Sequence, residues 1–193
     1  GNPISNNSLE FVELYNSTGS TLNLAQAGIG DGVEFRFLPG TTVASGERIV
    51  VVSFNPAIAS VPRDEFFGRY GSSLEEVRLF GPWSRSLSKN GEHLALADAL
   101  GNTFFEVTYS DDGGWPRRAD GRGSSLELID PNGVPAGVDA AAAYLNDHAH
   151  WRASREIWGS PGTAGSGPLV ASVVINEILA HTDAPFTDAI ELL

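Results

Sequence analysis

Apolar and polar residues alternate in short runs along most of this chain. In SLEFVELYN, residues 8–16, Val12 and Leu14 fall on one side of an extended strand and Glu13 on the other. IELL, residues 190–193, repeats that parity through Ile190 and Leu192. Comparable β-rich runs predict strands over 9–15, 21–24, 33–37, 48–53, 93–97, 103–109 and 124–129. The turns between them are explicit: GDG at 30–32, PG at 39–40, SGE at 45–47, NGE at 90–92, DALGN at 98–102 and DPNG at 130–133. Short strands with such regular punctuation predict an all-β, two-sheet sandwich.

Two stretches break the rhythm. Residues 56–80 read as a long insertion with a short helix around 63–69, and the alanine-rich run DAAAAYLN, 139–146, predicts one or two helical turns. The Gly/Ser-rich GTAGSGPL then closes the first unit, giving a domain over 1–165 and a linker over 166–172. The β pattern resumes at Val173, so 173–193 read as the start of a second copy. Aligning Glu13 with Glu191 gives a repeat offset of 178 residues. The chain starts at Gly1 and contains no methionine, so it reads as a fragment of a longer protein.

Composition narrows the function classes. With 193 residues, 41% hydrophobic and 19% charged, the chain is an ordinary globular sequence able to bury a core without cross-links. It has no cysteine, so disulfides, thiolate metal sites and cysteine nucleophiles are excluded. The net charge of −12 opposes non-specific attachment to nucleic-acid phosphates or anionic membranes. No apolar run approaches the ~20 residues that span a bilayer, so no membrane insertion is expected.

Several residues carry candidate chemistry, each with a plainer structural alternative. Glu13 and Glu177 lie on strands that could be neighbours, where paired carboxylates do acid–base work or hold a cation; the alternative is a carboxylate capping backbone donors. His148 and His150, beside Asp147, form an H-x-H spacing that on a strand sets both imidazoles on one face, as a divalent metal requires; the alternative is an exposed polar loop. Asp31, Glu34, Asp111, Asp112, Asp130 and Asn132 are oxygen donors for a surface calcium ion, although none has calcium-loop spacing and turns use the same residues. Trp83 and Trp115, with Arg117 and Arg118, offer a binding surface for a glycan or peptide; packing in the core is the alternative. There is no G-x-S-x-G elbow and no phosphate-cradling glycine loop ahead of a helix.

Taken together, EFVELYN at 10–16, FLPGTTVASGERIVVV at 37–52, GPWSRSLSKNGEHLALADALGN at 81–102, VTYSDDGGWP at 107–116, ADGRGSSLELIDP at 119–131, HWRASREIWGSPG at 150–162 and VVINEIL at 173–179 resemble the bacterial lamin-tail domains. The resemblance covers most of 8–165 in the family's order. It implies an immunoglobulin-like sandwich, with Glu13 and Asn16 of ELYN and Asn176 and Glu177 of INEI in structural roles. It also implies a non-catalytic interaction module of a larger secreted or surface protein, engaging another protein or a glycan. A carbohydrate- or cell-wall-binding module is the second class, and a cation-dependent hydrolase the third. The chain departs from the family at its start, where GNPISNN stands in place of an INEI-like strand. Two expectations follow for 173–179. It fills the vacant edge of the first sheet, in its own chain or by exchange within a homo-oligomer, or it is a tail beyond the domain.

Overall fold

The computed structural model describes residues 7–71, 74, 76–167, 175–179 and 189–192. The chain is predominantly β, with two short α-helices among the described residues. Its first sheet has the order β1–β6–β7, from Phe11–Tyr15, Arg48–Val52 and Arg78–Phe80. The second has the order β4–β3–β8–β9, from Phe35–Arg36, Gly28–Gly30, Gly91–Ala97 and Thr103–Ser110. Two-stranded pairs complete the set: β2 (Leu22–Asn23) with β5 (Thr42–Val43), β10 (Leu126–Leu128) with β11 (Trp151–Ala153), and β12 (Ile175–Leu179) with β13 (Ala189–Leu192).

The sequence of β6, RIVVV, explains how the layers stack. Its last four residues are all buried, although alternate residues face opposite sides of a sheet. Ile49 and Val51 enter a core shared with Ile29, Leu94 and Leu96 of the second sheet, against which Val12 and Leu14 of β1 pack. Val50 and Val52 enter a separate core on the opposite face, with Phe54, Phe66 and Tyr70. A strand covered on both faces has no polar side to show, so its pattern is continuous rather than alternating.

That second face is covered by the stretch read as an insertion. It holds α1 (Val61–Tyr70), three residues longer at the two ends together than the predicted 63–69 segment. Ser60 caps the helix, its hydroxyl accepting the Arg63 N–H, and Pro62 sits in the first turn. Phe66 and Tyr70, four residues apart, share the buried face and meet Phe11 of β1 edge-to-face. The helix links β6 to β7, which run parallel. A parallel pair needs such a crossover, so 53–77 is a structural connection within the first sheet rather than an excursion from it.

The β1–β6 ladder is closed at Asn16. Gly46, with φ +74, donates to the Asn16 carbonyl at 2.8 Å while the Asn16 N–H donates to Glu47 O at 3.0 Å. This is a glycine-headed β-bulge, in which two residues face one. Further along, α2 (Val138–Leu145) realises the alanine-rich helix and packs on β9, with Asn146 Oδ1 accepting the Thr108 N–H at 2.6 Å.

At the C-terminal side, β12 pairs antiparallel with β13, setting Glu177 opposite Glu191 and Ile178 opposite Ile190. The expected edge strand 173–179 is thus laddered, in its described part, to β13 within this chain; Val173 and Val174 lie outside the described residues. Among the described residues no helix is long and apolar enough to cross a membrane.

Candidate functional site

The loop following β9 gathers several of the predicted site residues. Asp112 and Trp115 close a turn, the Trp115 N–H donating to Asp112 O at 3.1 Å, and Ser110 Oγ donates to Asp112 Oδ1 at 2.8 Å. Gly114 takes φ +100, and a Cβ there would stand 2.7 Å from His148 Nε2, so only glycine fits beneath that imidazole. Asp111, Asp112, Gly113, Gly114, Trp115 and Arg117 line a concavity of about 400 Å³. Trp115 forms its wall and is only 9% exposed, its ring 6.0 Å from that of Trp151. Trp151 is anchored in turn, its Nε1–H donating to Leu145 O at 2.8 Å. The result is a recess lined by two carboxylates, a guanidinium and an indole, in the loop that follows β9. Arg118 contributes its carbonyl to the Ser124 N–H and does not line the recess.

The histidine pair has a different geometry from the one its spacing suggested. His148–His150 is a 3-10 turn, not a strand, so the two imidazoles do not share one face. His148 lies against Gly114, whereas His150 stacks on Tyr144 with centroids 3.6 Å apart. Among the described residues no three His, Asp or Glu side chains gather as a metal-binding group. His93, passed over in the sequence, stands between two carboxylates, 3.3 Å from Asp31 and 3.7 Å from Glu106.

Trp83 is not a surface aromatic. It is 5% exposed and belongs to the core between the two main sheets, drawn in by its N–H bond to Val52 O at 3.1 Å. The acidic turns predicted as calcium donors are engaged locally: Asp130 Oδ1 accepts the Asn132 N–H, and Glu34 pairs with Arg85 at 2.9 Å.

Glu13 is half-buried on the outer face of β1. Its Oε2 accepts the Gly162 N–H at 2.6 Å and its Oε1 lies 3.3 Å from Arg48 Nε. Glu177 is set opposite Glu191 in the β12–β13 ladder. The carboxylate near Glu13 is Glu127, which pairs with Arg152 at 3.2 Å and accepts from Ser160 Oγ at 3.3 Å. Glu127 alternates with Leu126 and Leu128 in β10, a pattern that marks it as outward-facing but says nothing of Glu13. A second acidic pair, Glu10 and Glu92, surrounds Tyr109, whose hydroxyl donates to Glu92 Oε1 at 2.9 Å; burial pushes the Glu10 carboxyl up.

Burial, opposed by the Gly162 N–H and Arg48 and aided by Glu127, raises the Glu13 pKa to about 6 from 4.5. A raised carboxyl favours the protonated folded state. The sign is therefore the reverse of an ordinary ion-paired acid: stability from this group is full below pH 4.5 and is lost as pH rises through about 6. Glu13→Gln, which stays neutral and keeps an acceptor for Gly162, is expected to be more stable than the parent by up to ~2 kcal/mol at pH 7.5. The difference vanishes near pH 4. Urea titrations of both proteins across that range measure it, and a variant weakened at pH 7.5 would show instead that the Arg48 ion pair outweighs the burial cost.

No protein-family model matches the chain, and no curated protein is similar to it.

Proposed function

We propose that this chain is a non-catalytic interaction module, an immunoglobulin-like sandwich of the lamin-tail kind, within a larger multidomain secreted or cell-surface bacterial protein. Two sheets packed across a shared core support the sandwich reading, and the order of motifs along the sequence supports the lamin-tail one. The observation that carries the functional reading is the recess at 111–117. It is a loop site on a β scaffold, with Trp115 braced by Trp151 and charges of both signs among its lining residues. Such a site recognises by fixed shape and paired charge, and its partner is a protein or a glycan. The net charge of −12 makes nucleic acid a poor partner.

Its glycan version, a cell-wall-binding module, would rest on the edge of Trp115 that lines the recess, since Trp83 and most of Trp115 are buried. A parallel screen on a bacterial glycan array and a displayed peptide library tests both. The expected result is a ligand whose affinity falls ~10-fold, about 1.4 kcal/mol, in Arg117→Ala. A ligand bound equally well by that variant would place recognition away from the recess.

A further inference from the structure

β1 is an end strand of its sheet. Asn16, just after it, turns both main-chain groups toward the β6 side, donating to Glu47 O and accepting from the Gly46 N–H. Main-chain groups alternate sides along a strand, so Leu14 and Val12 also address β6. The N–H and C=O groups of Phe11, Glu13 and Tyr15 therefore point outward, away from β6. None of them has a hydrogen-bond partner among the described residues. All five residues of β1 are partly buried, and as the end strand of the order β1–β6–β7 it leaves this row of donors and acceptors unpaired among the described residues.

The chain itself contains a strand matched to that row. β13 repeats β1 at the 178-residue offset, Ile190, Glu191 and Leu192 standing for Val12, Glu13 and Leu14. The strand laddered to this repeat is β12. Carried across the offset, its register sets Glu177 opposite Glu13 and Ile178 opposite Val12. We infer that Ile175–Leu179 of a second copy of this chain adds to the open edge of β1, antiparallel and in that register. Within one chain β12 is held by β13; between two chains the strands exchange, each molecule supplying the other's edge in a closed pair. This is independent of the recess at 111–117, which lies on a different element.

Amide hydrogen exchange and light scattering on the intact chain test the inference together. The wild-type protein is expected to move from monomer to dimer as concentration rises, with exchange at the Phe11, Glu13 and Tyr15 amides slowing ~10-fold in step. Glu177→Pro, which removes the N–H at the position set opposite Glu13, is expected to stay monomeric with those amides unprotected. A peptide of residues 171–181 added to it is expected to restore their protection. Three results would overturn the inference: a dimer that survives Glu177→Pro, protection already complete in the dilute monomer, or amides that exchange freely at every concentration and with the peptide.

Discussion

Asn16→Ala is expected to lower the unfolding free energy by roughly 3 kcal/mol, a large part of a domain's total. Asn16 is 3% exposed, and its amide ties the 18–20 turn to Val43 and Ala44. Nδ2 donates to Ser20 O at 2.9 Å, Val43 O at 2.9 Å and Ala44 O at 3.0 Å, two hydrogens serving three carbonyls. Oδ1 accepts the Thr18 N–H at 3.0 Å and the Thr18 hydroxyl at 2.7 Å. Alanine leaves buried carbonyls without a donor, and each unmatched group costs about 1–3 kcal/mol. Only part of the set is fully enclosed, which keeps the total near the upper single-group value. Asn16→Asp is the sharper variant, because it keeps the volume but turns an anionic oxygen toward three carbonyls. Urea denaturation should rank the parent above both variants. A loss below about 1 kcal/mol for alanine would mean that water reaches the junction.

Phe66→Ala is expected to cost about 3–5 kcal/mol. The ring is 0% exposed and meets Phe54 at 5.4 Å, Tyr70 at 4.8 Å and Phe11 at 6.4 Å between centroids. Its removal opens a cavity on the outer face of the first sheet, beneath the crossover. Ile58→Ala, in the same connection but exposed, is the control and should change stability by less than about 0.5 kcal/mol. Melting curves of the pair distinguish a helix that belongs to the core from one appended to it. Equal, small effects would mean that the sheet stands without α1.

The parts of the fold that local pattern could reveal were visible in the sequence. The strands at 9–15, 48–53, 93–97 and 103–109 reappear, with small boundary changes, as β1, β6, β8 and β9. The helix at 63–69 is signalled by the Ser60 and Pro62 start that the structure uses. What escaped depends on distant partners. β3 is Gly-Ile-Gly, with almost no intrinsic strand preference, and exists because β4 and β8 bond it on either side. β7 was hidden inside an apparent insertion because its ladder to β6 is parallel and reaches back across the whole crossover.

The site divides in the same way. Trp115 and Arg117 are near neighbours in sequence, and they line one recess. His148 reaches the same loop only through the fold, by packing on Gly114. Glu13 was legible as a polar residue in an apolar strand, but the Gly162 N–H that it accepts is 149 residues away. Trp83 misled because a tryptophan flanked by turn residues looks peripheral, whereas its backbone bond to Val52 turns it inward.

The contact between Glu13 and Gly162 also governs how this unit would carry a load. It joins the first strand of the fold to the last described loop before β12, and a Cβ on Gly159 beside it would stand 3.2 Å from Phe11 Cζ. Entry and exit thus stand next to each other. A pull on the two flanks would prise these contacts apart one after another, like a zip, instead of shearing a whole ladder at once.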